Sequence, residues 1–170
     1  MIPIKITKEE LHERFEYVDG KLKYKTRPAN RIKVGQEAGC AGGKNGYHQI
    51  HIKGRIYRTH QLIWVMFHGC IDTSLIMDHI NRDILDNRIE NLRLVTVKQN
   101  AQNQAGKGYK IHNKGRYSSV IKVDGKSISL GTYGTKEEAH AVYLKAKEKY
   151  HPYYRSLNKL ENIENLSRGL

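Results

Sequence analysis

The stretch LIMDHINRDILDNRIENLRLVTVKQN, residues 75–100, decides the fold of this chain. It opens with apolar residues, continues through a polar loop, and returns to the alternating pattern Leu92-Arg93-Leu94-Val95, which is typical of a half-buried strand. A Thr-x-x-Gln capping box follows, and it predicts a helix that begins at about Val97. The stretch therefore predicts a strand, a loop, a second strand and a helix.

Three polar residues occupy the ends of these elements. Asp78 and His79 end the first strand, and Asn100 lies in the first turn of the helix, which brings Asp78 and Asn100 together if the helix folds back over the hairpin. Carboxylate and carboxamide oxygens are hard ligands that suit Mg²⁺, and a neutral histidine beside them can take a proton from water. A metal ion and a general base are what phosphodiester hydrolysis needs.

The same residues resemble a known motif. Asp-His-Ile, then Asp-Asn-Arg-Ile-Glu-Asn-Leu-Arg-Leu-Val-Thr, then Gln-Asn resembles the HNH endonuclease motif of phage and intron homing enzymes, in the variant that ends in Asn instead of His. The resemblance implies a ββα-metal core with His79 as general base and Asp78 and Asn100 as metal ligands. It also implies Asn91 as the middle catalytic Asn, which holds the histidine loop in place. Asn87 is a competitor for that middle role.

Composition narrows the function classes. Lys and Arg number 30 against 17 Asp and Glu, a net charge of +13, which favours a nucleic acid or an anionic membrane surface as the partner. No apolar run approaches the roughly 20 residues of a membrane span, and the first residues lack a signal-peptide core. Two distant cysteines without a Cys-x-x-Cys pair speak against structural zinc and for a reduced, cytoplasmic protein.

The residues before the motif predict small hairpins and helices. Short helices are predicted from Thr7 to about Phe15 and from Thr59 to His68, the second buried, with Trp64 and Phe67 in the core. Hairpin turns are predicted at Asp19-Gly20 and Lys53-Gly54, and one strand near residues 32–34. We assign residues 1–104 to the HNH domain, with its core at about 60–104, and residues 105–108 to a linker.

Residues 109–152 predict a second domain, a three-stranded antiparallel sheet packed on one helix. Its third strand is predicted from Ser127 to Leu130, with a break in the sheet at Gly131. The sequence Gly115-Arg116-Tyr117, then Leu130-Gly131-Thr132-Tyr133 and the following Thr-Lys-Glu-Glu-Ala resembles the Apetala-two DNA-binding domain. A basic sheet face can lie in the major groove, and the residues predicted to meet DNA are Lys110, His112, Lys114, Arg116, Ser118, Lys122, Ser127, Ser129 and, from the first domain, Arg93. Small residues on this face predict phosphate contacts more than base readout.

Together these features predict an α+β protein with an HNH core and a C-terminal DNA-binding sheet. Residues 153–170 are read as a tail with a short docking helix. We expect a metal-dependent endonuclease for double-stranded DNA, of the phage homing type, in the cytoplasm of a phage-infected bacterial host. The expected cofactor is one divalent ion, Mg²⁺ with Mn²⁺ as an alternative, and monomer and homodimer both stay open. The alternatives are a DNA-binding regulator with an inactive HNH scaffold, and an RNA-processing nuclease or RNA-binding protein.

Overall fold

The computed structural model describes residues 4–42, 45–112 and 115–154. Lys114 and the predicted docking helix of the tail lie outside the described residues. The chain divides into two compact units, residues 1–97 and residues 98–170, and each is described by itself. Helices and antiparallel sheets occur in both units, which confirms the predicted α+β class.

The first unit begins with a helix and a hairpin. Helix α1 (Lys8–Arg14) starts where the Thr7 side chain accepts a hydrogen bond from the Glu10 backbone N–H. Strands β1 (Phe15–Val18) and β2 (Lys21–Tyr24) pair around the Asp19-Gly20 turn, as predicted.

A second sheet and helix follow, and then the hairpin of the motif. Strands β3 (Cys40–Ala41), β4 (His48–Ile52) and β5 (Arg55–Arg58) form a sheet in that order. Helix α2 (Thr59–His68) ends at Gly69, whose N–H donates to Val65 O. Strand β6 (Ile76–His79) pairs with β7 (Leu92–Val95), and a short 3-10 helix (Ile89–Asn91) precedes β7.

The core of the first unit lies between α1, α2 and the first two sheets. Its buried members are Ile6, Leu11, Phe15, Leu22, Ala38, Ile50, Ile52, Leu62, Ile63, Val65, Met66 and Leu92, and Trp64 is packed against them. Two expectations were wrong. Phe67 is 42% exposed, because it faces outward at the end of α2. Residues 32–34 form no strand, because Lys23 bridges to Glu37 and the chain turns through the intervening residues.

The second unit contains all but the first residue of helix α3 (Val97–Asn103). It also contains strands β8 (Tyr109–Ile111), β9 (Tyr117–Val123) and β10 (Lys126–Tyr133), and helix α4 (Lys136–Tyr150). The antiparallel order β10-β9-β8 and the packing of α4 on β9 confirm the predicted sheet-on-helix arrangement. A full capping box between Thr135 and Glu138 starts α4. Strand β10 is longer than predicted, because a bulge at Leu130 lets pairing continue through Gly131 to Tyr133.

The two units divide ahead of the linker that was predicted at residues 105–108. Helix α3 is held within the second unit, because Lys147 Nζ donates to Gln104 O at 2.7 Å and Tyr153 N donates to Gln102 Oε1 at 3.4 Å. Residues 105–108 have no regular structure. The functional assignment of the domains stays a prediction.

Candidate functional site

The β6–β7 hairpin holds two adjacent ionisable residues. Asp78 pairs with Arg93 across the hairpin, and His79 pairs with Leu92. Both residues are buried, with 8% and 5% of their surface exposed, although they carry polar side chains in a short hairpin. Asp and His are seldom buried to this extent unless other groups bind them, so their partners define the site.

Asn87 is the hydrogen-bond partner of the His79 ring. His79 Nε2 lies 3.2 Å from Asn87 Oδ1. With the amide assigned in this orientation, its oxygen can only accept, so Nε2 carries the proton and Nδ1 is the basic nitrogen. Burial lowers the pKa of His79, while the Asn87 bond and the charge of Asp78 oppose that shift. The ring is therefore neutral near pH 7, as a general base must be.

Two aromatic rings line the imidazole of His79. The His60 ring lies 5.0 Å from it between centroids, at an interplanar angle of 85°, and the Tyr47 ring lies 6.2 Å away. Tyr47 and His60 also contact each other at 5.1 Å, and the Arg58 guanidinium sits 4.6 Å from the Tyr47 ring centroid. Burial, followed by the neighbouring charges of His79 and Arg58, lowers the pKa of His60 to about 3.

Asn91 holds the loop between the two strands. Its Nδ2 donates to Asn81 Oδ1 at 2.9 Å and to Asp86 O at 2.8 Å, and its Oδ1 accepts from Asn81 N at 2.9 Å. Asp86 accepts from the Arg88 guanidinium and from Asn81 Nδ2. The loop that carries Asn87 is thus tied together by side chains, and within it Asn87 is the carboxamide bonded to the His79 ring.

The first hairpin supports the same loop from behind. A Cβ added at Gly20 would lie 2.7 Å from Arg88 N, so the turn packs directly on the loop backbone, and Gly20 has the positive φ of 78° that its turn requires. The Tyr17 hydroxyl accepts the Ile89 N–H at 3.1 Å. Residues 87–89 are therefore held by a hairpin about 70 residues earlier in the chain.

The predicted metal ligands lie in different units. Asp78 Oδ2 accepts from Arg93 Nε and Nη2 at 2.8 and 2.7 Å. Asn100 lies on α3, in the second unit, and is half-buried. Their joint ligation of one ion stays a prediction. In the described ranges, no three His, Cys, Asp or Glu side chains are grouped as a metal site.

The strand register of the second unit places the predicted DNA-binding residues together. Lys110 pairs with Ser118, Lys122 pairs with Ser127, and the bond from His112 N to Arg116 O continues the β8–β9 alignment. Ser129 pairs with Val120 and extends the same face. Alternate residues Ser119 and Ile121 are buried on the side of α4, so this basic face is the opposite one. Whether it contacts DNA stays a prediction.

Sequence reasoning did not identify His60 and Tyr47 as neighbours of His79. Nothing in the sequence relates His60 to His79, 19 residues later. The signal that points to it is a histidine within the apolar run that forms α2. Arg93, which was predicted to touch phosphate, is engaged by Asp78 in the structure.

Sequence comparison defines the class of the site. Residues 57–102 match the family model described as HNH endonuclease. This span contains the whole hairpin with its buried histidine and carboxamide loop. Over this span the chain is similar to the HNH endonuclease family, in agreement with the first resemblance. Within the described residues, no helix is long and apolar enough to cross a membrane.

Two relatives and one solved structure can be named. The chain is 27% identical over 124 residues to an uncharacterised HNH endonuclease of Acanthamoeba polyphaga mimivirus, covering 70% of this chain and 66% of that protein. It is 30% identical over 99 residues to the DNA endonuclease I-HmuI of Bacillus phage SP01, covering 56% and 57%. The chain thus spans less than two thirds of each relative. A solved structure on DNA binding and cleavage by I-HmuI aligns with TM-score 0.42 and 24% identity, over 74% of this chain and 75% of that one.

Proposed function

We propose that this protein is a metal-dependent endonuclease that hydrolyses a phosphodiester bond of double-stranded DNA, as a homing endonuclease of phage type. The observation that carries the proposal is the buried His79, whose Nε2 is hydrogen-bonded to Asn87 while Asp78 adjoins it in the chain. The match of residues 57–102 to the HNH endonuclease model and the similarity to a phage DNA endonuclease support the same assignment.

His79 acts as the general base. Its Nδ1 takes a proton from a water molecule, and the water oxygen attacks phosphorus in line as the bond to the 3′-oxygen breaks. The Nε2 proton stays on the ring and is held by Asn87, so only one nitrogen can accept. The negative charge of Asp78 stabilises the imidazolium that forms, in the same direction as its effect on the pKa of His79.

Asp78 and Asn100 are the residues expected to hold one hard divalent ion. Asp78 supplies a carboxylate and Asn100 a carboxamide, both oxygen donors of the kind that Mg²⁺ or Mn²⁺ prefers. Such an ion, when bound, neutralises charge on the scissile phosphate and on the leaving oxygen. Arg93 orients the Asp78 carboxylate through two hydrogen bonds to one oxygen.

The second unit binds the duplex. Its exposed face joins Lys110, Arg116 and Lys122 with short hydroxyl side chains, a composition that suits phosphate more than base edges. The three-stranded sheet on one helix supports the likeness to an Apetala-two domain. Binding is expected to weaken steeply with salt, because each phosphate contact releases counterions.

Plasmid cleavage tests the proposal. Supercoiled plasmid and phage genomic DNA are incubated with the protein in Mg²⁺, in EDTA and with His79→Ala, and His51→Ala, which changes an exposed histidine of the first unit, is the control. We expect the wild type and His51→Ala to cut DNA in Mg²⁺. We expect no cutting in EDTA and none by His79→Ala. DNA binding without cutting in any metal would instead support the inactive-scaffold regulator, and preferential binding and cutting of RNA would support the RNA nuclease.

A further inference from the structure

The proposed mechanism leaves one buried histidine without a task. His60 is 3% exposed, and its Nδ1 is buried with no hydrogen-bond partner in the described part of the chain. A buried polar atom without a hydrogen-bond partner is destabilising. The next core positions of α2, Leu62 and Ile63, are apolar and fully buried. The side chain at position 60 is therefore not explained by stability alone, and the contacts of its ring are the next observation to consider.

The position of the ring shows what that use is. His60 contacts Tyr47 at 5.1 Å and His79 at 5.0 Å, the latter in an edge-to-face geometry of 85° that aromatic rings prefer. The bond from Nε2 to Asn87 fixes one corner of the His79 ring, and a ring packed at right angles restrains its plane. The hydrogen bond to Asn87 therefore fixes the position of Nε2, and the His60 ring restrains the rotation of the imidazole plane about that point.

We propose that His60 is a positioning residue for His79. Its ring, between Tyr47 and His79, holds the imidazole in the plane that keeps Nε2 on Asn87 and leaves Nδ1 as the basic nitrogen. This inference rests on the proposed function of His79 as general base. Burial keeps His60 itself neutral near pH 7, because its pKa is about 3, so its ring adds no positive charge beside the imidazolium that forms on His79.

Two substitutions separate the ring from the bulk of the side chain. His60→Leu keeps an apolar side chain of similar size without a ring, and His60→Phe keeps a ring. Single-turnover cleavage at saturating DNA, DNA affinity in EDTA, and the urea midpoint from the fluorescence of the single tryptophan are compared with wild type. His60→Leu is expected to keep its fold and affinity and to lose about 10- to 100-fold in rate, since small misplacements have effects of that size. His60→Phe is expected to recover most of that loss.

A spectroscopic measurement makes the test independent of activity. In the full-length protein labelled with ¹⁵N-histidine, the wild-type His79 ring should show the Nε2-protonated tautomer alone. His60→Leu should show a mixture of tautomers, His60→Phe a single one again, and the control His51→Leu no change. If the wild type cuts no DNA, the proposed function is wrong, and the tautomer of His79 in His60→Leu still decides the positioning role.

Three outcomes would overturn the inference. One is a rate for His60→Leu within about twofold of wild type, well below the effect expected of a positioning residue. Another is a loss of rate that only follows a loss of folded protein or of DNA affinity. The third is a single unchanged tautomer of His79 in His60→Leu.

Discussion

Replacing Asn91 with Ala should both destabilise the first unit and slow cleavage. The side chain makes three hydrogen bonds, to Asn81 N, Asn81 Oδ1 and Asp86 O, at 2.8–2.9 Å. Asn91 is 7% exposed, so water replaces these bonds poorly in the mutant. At the usual net value of about 1 kcal/mol for each bond, and more for groups left buried, the expected loss is about 2–4 kcal/mol.

Urea unfolding measures the stability loss. Trp64 lies on α2, so its fluorescence reports on the unit that contains Asn91. Asn45→Ala changes an exposed Asn of the same unit and serves as the matched control, with an expected effect within about 0.5 kcal/mol. The cleavage rate under folding conditions should also fall, since the loop that carries Asn87 is no longer tied. A loss below about 0.5 kcal/mol together with an unchanged rate would refute the role of Asn91 in holding this loop.

Three further predictions concern stability. The pKa of His60 is about 3 in the folded protein, below its ordinary value of 6.5, so His60 takes up a proton in the unfolded chain first as the pH falls. Its contribution to stability is therefore fully present above pH 6.5 and is lost as the pH drops from 6.5 towards 3. Within this window the free energy of unfolding should fall by about 1.4 kcal/mol per pH unit, and less steeply in His60→Leu. Urea midpoints measured above and within the window test this, and an equal slope in both proteins would contradict the assignment. Lys147→Met should destabilise the second unit by about 1–3 kcal/mol, since Gln104 O loses its donor, and faster hydrogen exchange in α3 and α4 would show it, whereas unchanged exchange would argue against it. Gly39→Ala should lower the free energy of unfolding by more than about 2 kcal/mol, because its Cβ would lie 2.2 Å from a backbone oxygen. Gly35→Ala has open space around its Cβ at a similar positive φ, so its loss should be smaller. Equal losses would show that the positive φ alone sets the effect.

Local signals predicted most of the elements. Two-residue turns occur at Asp19-Gly20 and Lys53-Gly54, and a capping box begins at Thr135. Each depends on neighbours within four residues, so it can be predicted directly from the sequence. Strand β10 was predicted too short, because Gly131 reads as a break until the bulge that accommodates its φ of 116° is known.

The site could be predicted only in part, because it depends on contacts between residues that are distant in the sequence. Asn87 and Asn91 were both visible as candidates, but the closure of the loop decides which one reaches His79. Lys147 is 1% exposed, and no local pattern of residues predicts that a lysine is buried at this position. Its ammonium donates a hydrogen bond to Gln104 O, just after α3, and lies 4.5 Å from the Tyr154 ring centroid. The spacing of residues in the sequence does not reveal these partners.

The support of residues 87–89 by the first hairpin has a consequence for folding. Contacts between residues about 70 positions apart form late, because the intervening chain must first lose its freedom. We expect the contacts of Gly20 and Tyr17 with the loop to form after the more local hairpins and α2. The loop that holds His79 is then among the last parts of the unit to become ordered, so a partly folded or newly synthesised chain would already expose basic surface but not yet have an assembled catalytic loop.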